Sequence, residues 1–505
     1  MMDVSRLGFI KGIAASLGVG ALGGGRVFAA PPGWKPPKGA NLVFGVLSDT
    51  HLRTIHGSSG RPGRNWPHKY FAAALKYFRD QNVDAVVHCG DFAHRGQVEE
   101  MRFHAGVWNR IFPRNRAPDG HEVVKLFVTG NHDTDGACYG SFVTDNYPDP
   151  EVRAKHVLQT DMAANWERIW GERYELAWHK VVKGFHFFGA HWKADRMRMM
   201  RLVKDALSGD AADAAGPARP FFLLTHSRLM PPERNAIAAF KDRALAFFGH
   251  NHESSTNWNT IYYEPNTFPR IQVPPCISPD WDLKFRGEAN VTKFPLLGKE
   301  KAGRCRQGFL VEVYDDKVVI RRREFAEGGS LGPDWVMPLG EWEMESAKCK
   351  VGETGKKCHP FSKESLKKVI GEPQFRKGTK LEVFLDRIDK IENAANHNSV
   401  NPVDPVLEDS ASLRLCVKIP LADGNPDSRV YAYEVVVAGE GRKLHKAVYA
   451  AGCNMGIGHE PNGGVTELSI PKAELPPGDA LTIAVRPITS LGTRGKPLAA
   501  KWHRT

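Results

Sequence analysis

The sequence predicts an α/β domain over residues 40–335 followed by an all-β sandwich over residues 379–505. Two observations carry this. Short apolar runs first alternate with segments of helical periodicity, as in βαβ units with parallel strands. From Lys380 the pattern becomes alternating apolar and polar runs separated by turn residues, as in a sandwich. A third observation concerns chemistry: Asp, Asn and His recur where the apolar runs of the first domain end.

Residues 41–47 (NLVFGVL) read as the first strand. Residues 68–80 repeat Phe71, Leu75 and Phe78 on one helical face, and residues 96–112 form the next helix. Strands at 83–88 and 123–128 alternate with these. A helix is expected over 151–171, a strand pair over 174–182 and 184–190, and a helix over 194–207 whose Met197, Met199 and Met200 fill a core. Buried strands follow at 221–225 and 244–248, then antiparallel strands near 270–273, 308–314 and 317–322. Arg321, Arg322 and Arg323 read as a solvated strand end. Residues 336–378 are polar and rich in Lys and Gly, and read as a linker. The sandwich takes strands at 381–385, 412–419, 431–438, 445–450 and 481–485; its last stretch loosely resembles a fibronectin type III domain.

A chain of 505 residues exceeds one ordinary core. Its N-terminus has the form of an export signal over residues 1–29, with the cut after Ala29 and a Pro-rich linker over 30–39. Ser5-Arg6-Leu7-Gly8-Phe9-Ile10-Lys11 resembles a twin-arginine signal with Leu7 in place of the second Arg, so the general secretory route stays open. A periplasmic or extracellular location is expected, with no transmembrane span in the mature chain. Net charge is +12; Arg6, Lys11 and Arg26 against Asp3 leave +10 after the signal, a balance that favours anionic ligands. The basic residues are scattered, so no specific nucleic acid is expected. The eight cysteines suit an oxidising compartment, their pairing open, with Cys89 read as a buried thiol.

Five polar clusters stand at strand ends: Asp49-Thr-His51, Gly90-Asp91, Gly130-Asn131-His132-Asp133, His226, and Gly249-His250-Asn-His252. One edge of an α/β sheet is where ligands collect. Seven oxygen or nitrogen donors (Asp49, His51, Asp91, Asn131, His226, His250 and His252) suit two borderline metal ions, and the absence of Cys argues against closed structural zinc. Any one of these histidines alone would read as an ordinary strand-end residue. His88, His94 and His191 are given that structural or rim reading. Gly130 and Gly249 read as turn glycines. Trp66, Trp192 and Trp258 either wall the cleft or pack in the core.

The order Asp-x-His, Gly-Asp, Gly-Asn-His-Asp, His, Gly-His-x-His resembles the calcineurin-like metallophosphoesterase superfamily, over residues 40–330. The intervals from Asp49 to Asp91, Asn131, His226 and His250 are 42, 40, 95 and 24 residues in turn. The resemblance implies a four-layer α/β/β/α sandwich and two ions of manganese, iron or zinc. Asp49, His51 and His252 would hold one ion and Asn131, His226 and His250 the other, with Asp91 bridging through its two oxygens. A metal-bridging hydroxide would be the nucleophile. His132 would protonate the leaving group, Asp133 would orient that imidazole, and Arg95 in Gly90-Asp-Phe-Ala-His-Arg95-Gly96 would contact phosphate. No Tyr lies between Phe92 and Arg95, so the ligand set departs from purple acid phosphatases.

These readings imply an exported metal-dependent hydrolase of small phosphodiesters or phosphomonoesters, with diesters slightly favoured. Two alternatives stand beside it: a phosphomonoesterase or nucleotidase of the same fold, and a non-catalytic surface-binding protein acting through its sandwich. That sandwich could meet cell-surface glycan or serve only packing.

Overall fold

In the computed structural model, the described residues are 39–52, 66–134, 148–210, 219–276, 296–297, 306–339 except 327, 359–388, 412–422 except 421, 429–453, 456 and 461–504. The signal, residues 30–38 of the Pro-rich linker, Cys349 and Cys358 lie outside them, as does the side chain of Trp66. No helix among the described residues is long and apolar enough to cross a membrane.

Two six-stranded sheets form the first domain. In chain order its elements are β1 (Leu42–Leu47), α1 (Trp66–Asp80), β2 (Ala85–Cys89), α2 (Val98–Ile111), β3 (Val124–Val128), α3 (Asn131–Thr134), α4 (Pro150–His156), α5 (Met162–Trp170), β4 (Ala177–Val182), β5 (Phe185–Ala190), α6 (Arg196–Asp210), β6 (Phe221–Thr225), α7 (Pro231–Ala236), β7 (Ala244–Phe248), β8 (Ile261–Tyr262) and β9 (Arg270–Gln272). After β10 (Leu296–Leu297) come β11 (Gln307–Val313), β12 (Lys317–Glu324) and β13 (Trp335–Pro338). The first sheet runs β13-β12-β11-β1-β2-β3 and the second β4-β5-β6-β7-β9-β8. β1, β2 and β3 are mutually parallel, as are β5, β6, β7 and β9.

The strands are apolar on both faces because both are covered. Phe44, Val46, Leu126, Phe187, Phe222 and Phe247 fill the space between the sheets. Phe44 meets the rings of Phe222 and Phe187 edge-on at 4.9 and 5.3 Å. On the outer face of the first sheet, Val43 and Leu47 pack with Phe71, Phe78, Met101 and Trp108 of α1 and α2. On the outer face of the second, Phe188 and Phe221 pack with Met199, Met200 and Val203 of α6. Helix, sheet, sheet, helix is thus the calcineurin-like α/β architecture expected. Met197, expected in the core, is exposed.

Three departures have physical causes. The single helix expected over 151–171 is broken at Val157, which is extended; Leu158 N–H is drawn to Gly96 O at 2.8 Å, and Asp161 caps a new helix start. The segment read as a linker carries β13, which pairs with β12, and α8 (Lys363–Ile370), capped by Ser362. Phe361, Leu366 and Ile370 join the core between the sheets, a contribution hidden by the lysines around them. Arg322 is buried rather than solvated. Its guanidinium lies over Trp258 at 4.9 Å and Trp335 at 4.8 Å and donates to Ser255 O at 2.8 Å.

The C-terminal region is antiparallel, as expected of a sandwich. β14 (Glu382–Ile388), β15 (Ser412–Ile419) and β18 (Thr466–Pro471) form one sheet. β16 (Ala432–Gly439), β17 (Arg442–Tyr449), β19 (Ala480–Ile488) and β20 (Leu498–His503) form the other, with β10 added at its edge. Val417, Ile470, Tyr433, Val435 and Ile483 share its core. β18 and β20 were not among the expected strands. Cys453 sits in a turn.

Candidate metal centre

The site forms where the carboxyl ends of both sheets meet. β1 ends before Asp49, β2 before Gly90-Asp91, β3 before Gly130-Asn131, β6 before His226 and β7 before Gly249-His250. Beyond the strands the first two loops remain zipped together. Asp49 N–H donates to Gly90 O at 2.9 Å, His51 N–H to Asp91 O at 3.0 Å and Leu52 N–H to Phe92 O at 2.8 Å.

Asp49, His51, Asp91, His250 and His252 all take positive φ, between 41° and 78°. Left-handed backbone costs a non-glycine residue about 1–3 kcal/mol and persists only where its surroundings dictate it. Here it turns successive polar side chains into one cleft. Gly130 and Gly249 serve it through space rather than through turning. A Cβ on Gly130 would stand 2.1 Å from Asp91 Oδ1, and one on Gly249 2.0 Å from Ser48 Oγ.

Seven predicted ligands converge in two groups. In one, His252 Nε2 lies 3.1 Å from Asp49 Oδ1 and 3.0 Å from His51 Nε2. In the other, His226 Nε2 and His250 Nδ1 each lie 3.0 Å from Asn131 Oδ1 and 3.3 Å from one another. Asp91 Oδ2 stands between them, 3.5 Å from His51 Nε2 and 3.1 Å from His226 Nε2. Its other oxygen accepts the His132 N–H at 2.9 Å, so the groups meet at one oxygen rather than across two. The first group is buried, whereas His250 is exposed and opens the second to solvent.

This donor set fits cations. The His226 Nδ1–H donates to Cys89 O at 2.7 Å, which turns the Nε2 lone pair toward Asp91 and Asn131. Lone pairs crowded at about 3 Å repel unless a cation or proton lies among them. Without a metal, the proton takes that place. Burial opposes charge on His226, but the Asp91 carboxylate beside it raises the ring to about 9. Burial holds His51 down to about 3. Burial also opposes ionisation of Asp49 and Asp91, yet the facing imidazoles His252 and His226 hold both carboxyls below the usual range.

His132 joins the cluster, its ring edge-on to His51 at 4.5 Å. Its Nδ1–H donates to the His94 carbonyl at 2.8 Å. Asp133 does not hold that imidazole, contrary to expectation. Its oxygens accept the amides of Asp91, Ala93 and Gly130 at 3.0, 2.8 and 2.8 Å, tying three ligand loops together. Burial, with the Asp91 charge, pushes its carboxyl up to about 7 against those donors. Arg95 is half-buried, its backbone N–H donating to Glu100 Oε2 at 2.9 Å. Trp192 walls the second group, 5.5 Å from the rings of His226 and His250, while Trp258 packs in the core.

Two features around the site extend the structural reading of His94 and His88. His94 is buried and stacks on His132 at 5.6 Å, and its nitrogens lie with those of His51 and His132 in a third histidine cluster. Thr50 Oγ1 lies 3.2 Å from His88 Nε2 and 2.8 Å from His104 Nε2. His88 Nδ1 accepts the Gly90 N–H at 3.2 Å and His104 Nδ1–H donates to Glu100 O at 3.1 Å, which fixes both tautomers. A neutral chain thus clamps the Asp49–His51 turn from below. Of this chain the sequence singles out only His88, as a structural or rim residue.

A linkage prediction follows from His226. Its folded-state value exceeds the ordinary 6.5, so in metal-free protein its stabilisation is complete below about pH 6.5 and is lost as pH rises through about 9. Thermal unfolding of chelator-treated protein should show the midpoint falling across that window, and His226→Gln should flatten the fall. Equal slopes in both proteins would contradict the assignment.

One family model covers the residues that form this site. Residues 42–254 match the model of the calcineurin-like phosphoesterase family. No curated protein matches the sequence. Among solved structures, the chain is similar to a dimetal phosphatase from Danio rerio at 10% identity, covering 60% of this chain and 100% of that one, with a TM-score of 0.35. An archaeal phosphodiesterase is similar at 12% identity, covering 59% and 100%, with a TM-score of 0.21. An NAD nucleotidase from Haemophilus influenzae is similar at 13% identity, covering 65% and 55%, with a TM-score of 0.26. The chain thus carries a calcineurin-like phosphoesterase domain and is a metal-dependent phosphoric ester hydrolase.

Proposed function

We propose that this chain is an exported dinuclear phosphoesterase that hydrolyses small phosphodiesters in preference to monoesters. The supporting observation is the division of seven donors into two groups that share Asp91 Oδ2. Asp49, His51 and His252 would hold one ion and Asn131, His226 and His250 the other. Manganese, zinc and iron all suit this mixture of imidazole, carboxylate and amide oxygen. When bound, such ions supply Lewis-acid charge and a water of lowered pKa.

The remaining steps belong to the chain's own residues. His132 commits Nδ1–H to the His94 carbonyl, so the proton it moves to a leaving alkoxide is the one at Nε2. Asp133 acts by holding the Asp91, Ala93 and Gly130 amides in place. Arg95 contacts the phosphate oxygens, and the exposed His250 side admits the ester. A proton donor is needed most when the leaving group is a poor one, which favours alkyl diesters.

Four outcomes test this reading. With each metal added back, hydrolysis of a bis-aryl phosphate should exceed that of the aryl monophosphate. Asp91→Asn should lower both by at least about 100-fold; substantial residual turnover would refute the shared-ligand site. His132→Ala should cost about 100-fold or more for alkyl leaving groups and far less for nitrophenol, and an equal loss for both would argue against proton donation. Exported protein should begin at Ala30, and an intact N-terminus in the cytosol would refute export.

A further inference from the structure

We propose that the C-terminal sandwich completes the metal centre, with Ser490 as a positioning residue for the segment that carries His252. The proposal rests on the metal-centre reading above. After β19 the chain makes a tight turn, closed by Thr489 N–H to Thr493 O at 3.0 Å and Gly492 N–H to Thr489 O at 2.9 Å. Thr489 and Ser490 are buried, and Leu491 enters the core between the two catalytic sheets. Ser490 Oγ accepts the Trp258 N–H at 3.0 Å, and Ser490 O accepts from Asn259 Nδ2 at 2.6 Å.

The segment so gripped begins at His252. Left-handed φ at His250 and His252 gives it strain that its surroundings must hold. On one side, Gln307 Oε1 accepts from Ser255 N at 2.9 Å and from Ser254 and Ser255 hydroxyls, while Arg322 holds Ser255 O. Ser490 supplies the grip at the far end. The Ser490 contacts bear on the segment that starts at His252, so the sandwich braces the half of the centre that holds Asp49, His51 and His252.

The test uses the full chain with Ser490→Ala, Ser490→Thr and the milder Asn259→Ala. In metal-free protein, hydrogen exchange at residues 250–256, none of which bonds Ser490, should quicken about tenfold in Ser490→Ala. Exchange at 130–134 and 221–226 should not change. Asn259→Ala should quicken the same segment less, and Ser490→Thr should restore it. In manganese titrations the ion lost in His252→Ala should bind about tenfold more weakly in Ser490→Ala, and the ion lost in His250→Ala should bind as before. Unchanged exchange at 250–256, or equal quickening across all three segments, would overturn the positioning role. Wild-type protein that takes up no metal would instead remove the metal-centre reading, with the exchange result still deciding the brace.

Discussion

Everything in this fold is arranged around one electrostatic constraint: two carboxylates, an amide oxygen and four imidazoles crowd into one largely buried cleft. Asp91 Oδ2 is the pivot, within 3.5 Å of nitrogens from both groups. Such a cluster is tolerable only when positive charge sits inside it. A proton on His226 can supply some of that charge, and metal ions can supply all of it. The same crowding therefore selects cations as the occupants of the cleft.

Holding that crowd together requires a stiff frame. Two sheets buried on both faces place five strand ends at one edge, and strained turns aim the side chains inward. Hydrogen bonds then fix what the strands only approximate. Asp133 gathers three amides, Thr50 is clamped between His88 and His104, and His226 is turned by Cys89 O. None of these groups needs to touch a substrate. Their work is to keep left-handed turns from relaxing, and the sandwich extends that work to the far side of His252.

Much of this was legible in the sequence, for a physical reason. Strands buried on both faces are short continuous apolar runs, so β1, β6 and β7 and the polar residues after them stand out. The candidate ligands followed, because Asp, Asn and His have little other reason to recur at such ends. Features set by three-dimensional neighbours were not legible. Arg322 looks solvated beside Arg321 and Arg323, yet Trp258 and Trp335 enclose it. Phe361, Leu366 and Ile370 are too sparse among lysines to reveal a core helix. Asp133 follows His132 directly, but the amides around it, not the imidazole, claim its oxygens. Which oxygen of Asp91 would be shared, and where Ser490 would land, depend on contacts between residues far apart in the chain.

The central claim concerns one atom, and anomalous diffraction from manganese-loaded crystals tests it most directly. The account predicts two peaks roughly 3.5–4 Å apart, both within bonding distance of Asp91 Oδ2, with Oδ1 still accepting the His132 amide. A single ion, or two ions held by separate oxygens of Asp91, would contradict it.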